Sequence, residues 1–157
     1  ALKVFDRTLR TTAPRILRAL DWAIAHEMHV INLSLGTRNP AHRDAFADAL
    51  ARARARNLLV VAPYEVDDQP AFPGCLPGGI AVGLDWDCPR DRYRCRRQDG
   101  RLVLHASGYP RDIPGVPPER NLHGISFAVA NVSGFLARAY RAGASIEDVE
   151  EEMMKEE

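Results

Sequence analysis

Ser126 stands in the run Gly124-Ile125-Ser126-Phe127-Ala128, ahead of the small-residue stretch Val129-Ala130-Asn131-Val132-Ser133-Gly134. A serine that opens a helix points its hydroxyl at oriented N–H groups and the positive end of the dipole, where a developing negative charge is stabilised. Nucleophilic catalysis is the chemistry this placement allows. It needs a base within hydrogen-bond reach, because a serine hydroxyl is a poor nucleophile until its proton is removed. Five histidines are available. His26 and His29 end a helical stretch, where a histidine complements the negative helix end. His42 opens the next helix, and His105 and His123 lie closest to the serine segment in sequence. Most serines at such positions simply cap a helix, and on these residues alone Ser126 reads that way. Cys75, Cys88 and Cys95 are too few for a disulfide framework. Cys88 and Cys95 flank a loop and would pair in an oxidising compartment, but free thiols in a reducing one are favoured. No CxxC or HxxxH spacing points to zinc, and no cofactor is expected.

These residues need elements to hold them. Leu2–Phe5 reads as a short strand. Thr11 or Thr12 can cap a helix that takes Pro14 in its first turn, and Ile16, Leu17, Leu20, Ala23 and Ile24 form its apolar stripe. Val30–Leu35 is a strand stopped by Gly36. A second helix runs from Ala41 to Arg56, with Ala45, Phe46, Ala49, Leu50 and Ala53 facing inward. Leu58–Ala62 is a continuous apolar run, as in a parallel strand covered on both faces. Ile80–Leu84 and Leu102–His105 are further strands, and the polar, turn-rich Trp86–Gly100 reads as a surface excursion between them. A proline-rich loop spans Pro110–Pro118, a helix runs from Ser126 to Arg141, and Ser145 caps a last helix. The organisation is one α/β domain over 1–149 and an acidic tail over 150–157, with a largely parallel sheet.

Lysine plus arginine and aspartate plus glutamate each number 21, so the formal net charge is zero. That argues against nucleic acid, which demands a basic excess. No apolar run approaches the roughly 20 residues of a membrane span, and no signal peptide is visible. A cytoplasmic setting is slightly favoured, without a motif that fixes it.

Val30-Ile31-Asn32-Leu33-Ser34-Leu35-Gly36, followed at the right distance by Gly124-Ile125-Ser126-Phe127-Ala128, resembles the C-terminal part of a subtilisin-like serine protease (subtilase). Val60-Val61-Ala62-Pro63-Tyr64-Glu65 stands where the family has a strand running into Ala-Ala-Gly-Asn. Phe72-Pro73, Ile80-Ala81-Val82-Gly83 and Ala106-Ser107-Gly108 resemble the turn and strands that follow. The resemblance covers nearly the whole chain and implies three layers, a mostly parallel sheet with helices on both faces, as in a truncated subtilisin fold. It makes Ser126 the nucleophile position and Glu65 the oxyanion-hole position. It also implies a peptide-binding surface from Leu33, Ser34, Leu35 and Gly36 with Ala62, Pro63 and Tyr64.

Several positions depart from the family. No aspartate or histidine in a matching motif precedes Leu2–Phe5. Glu65 replaces an asparagine that donates to the oxyanion, and a carboxylate repels that charge. Tyr64 replaces a glycine and should fill the specificity pocket, projecting toward the stretch between Gly83 and Ser107. Glu65 should approach Ser126 and draw an arginine from 90–101 or His123 as partner. Ala130-Asn131 replaces Pro-His on the serine helix. The expectation is a degenerate, catalytically inactive domain with a peptide or protein partner. The alternative is the C-terminal portion of an active endopeptidase whose aspartate and histidine come from a complementing N-terminal fragment or subunit; a third reading is an unrelated α/β domain. In the family a further strand lies between those resembling Leu2–Phe5 and Val30–Leu35. Without it, the first strand closes up beside the second, or a segment of another chain fills the gap.

Overall fold

Apolar runs and amphipathic stretches alternate along the chain, and the computed structural model, which describes residues 1–8, 10–140 and 144–155, folds them into strands and helices in that order. The helices are α1 (Ala13–Ala25), α2 (Arg43–Arg54), α3 (Ile125–Ala139) and α4 (Ile146–Lys155). The strands are β1 (Val30–Asn32), β2 (Leu59–Pro63), β3 (Glu65–Val66), β4 (Gln69–Pro70), β5 (Ile80–Leu84), β6 (Tyr93–Gln98) and β7 (Arg101–Ala106). The main sheet has the order β1-β2-β5-β7-β6, parallel except for the last pair; β3 and β4 form a separate antiparallel hairpin.

Each face of the sheet carries its own core. Leu58, Val60 and Ala62 face Ile16, Leu20 and Ala23 of α1 and Phe46, Ala49, Leu50 and Ala53 of α2. Leu59, Val61, Ile80, Val82, Leu104 and Ala106 face Val129, Val132 and Leu136 of α3 and Val149 and Met153 of α4. This is the three-layer, mostly parallel α/β arrangement that the resemblance implies. The period-2 alternation of β2 sends successive side chains into the two cores, so every residue of that strand is buried. Pro14 sits in the first turn of α1, where no intrahelical N–H is lost. Among the described residues no helix is long and apolar enough to cross a membrane.

The structure corrects several expectations. Leu2–Phe5 forms no strand, because no other strand lies beside it to take its backbone groups. The strand at Val30 ends at Asn32; Leu33 N–H still bonds the Val61 carbonyl, and Ser34–Gly36 continues outside the ladder. Ala45 is exposed, leaving Phe46, Ala49, Leu50 and Ala53 as the inner face of α2. Trp86–Gly100 is more than an excursion, since β6 lies within it. Tyr93 and Cys95 point inward between Arg94 and Arg96, an alternation masked by three arginines. The expected end of the serine helix at Arg141 falls outside the described residues, as do Glu156 and Glu157 of the acidic tail. From Glu150 to Lys155 that stretch is helical and belongs to α4, with Met153 buried.

α4 is held at three points. The Ser145 hydroxyl accepts from Asp148 N–H at 3.1 Å while the Asp148 carboxylate accepts from Ser145 N–H at 2.8 Å, a reciprocal cap. Arg54 of α2 pairs with Glu147 at 2.6 Å and Glu150 at 3.3 Å. The Tyr93 hydroxyl donates to the Met153 carbonyl at 2.7 Å, and the Cys95 thiol lies 3.6 Å from the same oxygen. All three cysteines are thiols; Cys88 and Cys95 are not bridged.

Candidate functional site

Ser126 occupies the first turn of α3, and a glycine makes that turn possible. Gly124 has φ of 136°, which an L side chain rarely adopts, and its N–H donates to the Gly108 carbonyl at 2.8 Å. The helix start is thereby pinned beside the Ala106–Gly108 segment. Asn131, one turn further on, donates to the carbonyls of Ser107 at 3.0 Å and Tyr109 at 3.3 Å. It replaces an imidazole of the family pattern with a clamp on the loop. In the sequence Asn131 stands out only as a departure from the family pattern, an amide between the apolar residues Val129 and Val132.

The Ser126 hydroxyl is exposed and donates to the Ser34 carbonyl at 3.3 Å. In return the Ser34 hydroxyl reaches the Ser126 carbonyl at 3.2 Å and Asn32 Oδ1 at 3.0 Å, and Ser133 Oγ reaches the same Asn32 oxygen at 3.3 Å. The two signature segments, 92 residues apart, are therefore joined by their own hydroxyls and amides. No described histidine or carboxylate hydrogen-bonds Ser126. His26 Nδ1 lies 2.7 Å from the Trp22 carbonyl at the end of α1, and His123 Nδ1 lies 2.9 Å from the Asn121 carbonyl. His123 also packs against Trp86 and Tyr109.

Of the residues expected to hold a peptide, Ala62, Pro63 and Tyr64 are buried in the fold. Both backbone groups of Tyr64 are used, its N–H by the Val82 carbonyl and its carbonyl by Ala71 N–H. Leu33 is buried, and the segment ends at Thr37, which exchanges two backbone hydrogen bonds with Phe72. Between them, Ser34 N–H and both backbone groups of exposed Gly36 have no hydrogen-bond partner among the described residues. The Leu35 carbonyl has no hydrogen-bond partner among the described residues, while its N–H bonds the Leu33 carbonyl. An extended peptide has a short run of main-chain donors and acceptors here.

Tyr64 projects as its bulk implies. Its ring packs with Ala81 and Val103, and its hydroxyl donates to the Asp99 carboxylate at 2.6 Å. The hydrogen bond to Asp99, with burial second, pushes the phenol up to about 12. Glu65, on β3, is half-buried and makes neither a hydrogen bond nor an ion pair with any described residue, Ser126 included. The arginines expected for it go elsewhere: Arg94 and Arg96 bond Asp85 at 2.7 and 3.1 Å. Burial, and after it Arg96, hold the His105 imidazole's proton affinity below the ordinary value; the Leu84 backbone, Asp85 and, least of all, Glu65 act in the opposite direction. His105 is buried with neither ring nitrogen hydrogen-bonded to a described residue, and its ring closes on Gly83, where a Cβ would stand 2.4 Å from the imidazole.

No protein-family model matches the chain. Subtilisin BL of Lederbergia lenta is 29% identical over 154 residues, which cover 96% of this chain and 56% of that protein. Subtilisin E of Bacillus subtilis strain 168 is 26% identical over 153 residues, covering 92% of this chain and 37% of that one. Among solved structures, the patellamide maturation protease PatA superposes with a TM-score of 0.67 at 26% identity, covering 92% of this chain and 57% of its own. The prenylagaramide maturation protease PagA gives 0.64 at 28% identity, with 84% and 50% covered. The chain thus spans about half the length of these structures, and 37% of subtilisin E.

Proposed function

We propose that this chain, which has the subtilisin-like α/β fold, is a peptide-holding domain whose serine is not activated within these 157 residues. One observation carries the reading: the Ser126 hydroxyl donates to the Ser34 carbonyl at 3.3 Å, and no base among the described residues hydrogen-bonds it. Glu65 at the oxyanion position adds to this. Loss of an oxyanion donor costs roughly 10²–10³ in kcat, a figure measured in subtilisin itself, and a carboxylate is worse than a missing donor. The free backbone groups at Ser34, Leu35 and Gly36 supply the peptide contact. Relatives named as maturation proteases support peptide as the ligand class. The test is a fluorophosphonate probe. The chain by itself should show no labelling at Ser126; stoichiometric labelling that Ser126→Ala abolishes overturns the proposal.

A second reading has its own support. Ser126 keeps an exposed position in the first turn of a helix, as a nucleophile requires, and the chain spans only part of its relatives. On this reading an aspartate and a histidine from another fragment or subunit complete an endopeptidase. Labelling of Ser126 that appears only when that fragment is added would select it over the first.

A further inference from the structure

A cavity of about 370 Å³ lies at the opposite end of the strands from Ser126, between the start of β5, the β6–β7 hairpin and α4. α3 gives the scale: Leu136, which lines the cavity, stands ten residues beyond Ser126, about 15 Å along the helix. The floor is apolar. Leu104, Leu136 and Met153 are buried, while Met154, which also lines the cavity, is 44% exposed. The charged lining is unbalanced, for Arg54, Arg97 and Arg101 share it with one carboxylate, Glu150. Arg54 spends its charge on Glu147 and Glu150 at 2.6 and 3.3 Å. The exposed guanidinium of Arg97 makes neither a hydrogen bond nor an ion pair with a described residue. Arg101 donates from Nη2 to the Gly79 carbonyl at 3.1 Å, and its Nη1 is buried with no partner among the described residues. Burial pushes the Arg101 guanidinium's proton affinity down, with Cys75, Tyr64 and Glu150 acting the other way. An arginine does not shed its charge at any ordinary pH, so both cations stay in want of an anion.

We infer that this cavity binds a small monocarboxylate carried on an unbranched apolar chain, its carboxylate held by Arg97 and Arg101 and its chain laid over Leu104, Leu136 and Met153. The volume falls at the small end of ligand pockets, which run from about 300 to 1,000 Å³. A neutral apolar molecule would take water away from two guanidinium groups and give them no counter-charge. A bare anion would pair with them and leave the apolar floor wet. A carboxylate on an apolar chain answers both, and the arginine fork matches a carboxylate's two oxygens. A dianion is disfavoured by Glu150 in the same lining. A peptide terminus brings amides that need partners, and the Gly79 carbonyl is already taken by Arg101. Methionine side chains, unbranched and adaptable, suit an unbranched chain. The site lies apart from the Ser34–Gly36 segment, so the inference holds under either reading of Ser126.

The probe is octanoate, titrated into the whole chain at pH 7 and followed through backbone amide shifts. Octanamide, inorganic phosphate and acetyl-Ala-Leu with a free carboxylate serve as the neutral, bare-anion and peptide-terminus controls. Expected are saturable shifts at the amides of Gly78, Gly79, Leu102 and Met154, which line the cavity, and binding at least about tenfold weaker for every control. Arg97→Gln should weaken octanoate about tenfold by removing one charged donor. Met154→Glu, which offers the arginines a carboxylate of their own, should abolish binding. Both positions are exposed, so neither change disturbs the core. Equal binding of octanamide would show a merely apolar pocket, equal binding of phosphate a bare anion site, and tighter binding of acetyl-Ala-Leu a peptide site. Each of these would overturn the inference, as would the absence of saturable shifts or octanoate binding left unchanged by both substitutions.

Discussion

Gly83 and His105 are packed so closely that a substitution at either is felt by the other. They face each other across β5 and β7, and a Cβ on Gly83 would sit 2.4, 2.5 and 2.9 Å from three atoms of the imidazole. Ordinary contact is near 3.4–4 Å, so in Gly83→Ala the ring must retreat by about 1 Å inside a packed layer. Overpacking of this kind costs about 1–3 kcal/mol. His105→Ala leaves a cavity, a loss of about 2–4 kcal/mol, but it also removes two buried nitrogens with no partner, which returns part of that. In the double variant the new methyl occupies the space the ring vacated, so the strain disappears. The two substitutions should therefore couple favourably by about 1–3 kcal/mol, the double being less destabilised than the sum. Urea unfolding at pH 8, with free energies from linear extrapolation, measures the cycle. Additivity within about 0.5 kcal/mol would refute the packing argument. The same histidine sets an acid limb. Its folded proton affinity is depressed below the ordinary 6.5, so its contribution is present above that pH and is lost as pH falls through the folded value. His105→Ala should flatten this limb.

Tyr64 gives the opposite limb: its phenol is raised from 10.0 to about 12, so stability should be full below pH 10 and decline as pH climbs toward 12. Tyr64→Phe should remove that decline while costing about 1–3 kcal/mol for the lost bond to Asp99, read by urea unfolding at pH 8. Ser145→Ala should cost about 0.5–2 kcal/mol through the lost cap and speed amide exchange in α4 before the sheet is affected. On the proposed reading Glu65→Asn puts an amide at the oxyanion position, yet fluorophosphonate labelling of Ser126 should stay at background, because that reading leaves Ser126 without a base; labelling in this variant would identify Glu65 as the single block.

Legibility followed where the physical signal lay. Leu58–Ala62 announced itself because a strand covered on both faces must be apolar throughout. β6 did not, because at the sheet edge only alternate residues face the core and Arg94, Arg96 and Arg97 hide the alternation. Leu2–Phe5 has the composition of a strand, but a strand exists only with a neighbour, and composition does not say whether one is present. The placement of Ser126 in the first turn of a helix was legible in its own segment, and the resemblance to subtilases set it beside the Val30–Gly36 segment. Its partners were not: the contacts from Ser126 to Ser34, Tyr64 to Asp99 and Asn131 to Ser107 join residues 92, 35 and 24 apart. Such pairs are decided by how the layers stack. Charge alone points an arginine of 90–101, or His123, at Glu65, whereas Asp85 lies within reach of Arg94 and Arg96 across the turn into β6.

The Met153 carbonyl takes the Tyr93 hydroxyl and faces the Cys95 thiol, so the last turn of α4 is fastened to the edge strand as well as to α3. Neither element can leave alone. Peeling α4 away uncovers the buried Tyr93 hydroxyl, and fraying β6 strands the Met153 carbonyl at the same point. The two therefore share one opening free energy, lower than that of β2 and β5 at the centre. Native-state exchange should find β6 and α4 amides merging into one isotherm under mild denaturant, so that this end of the domain unfastens as a unit while α3, which carries Ser126, stays packed on the sheet.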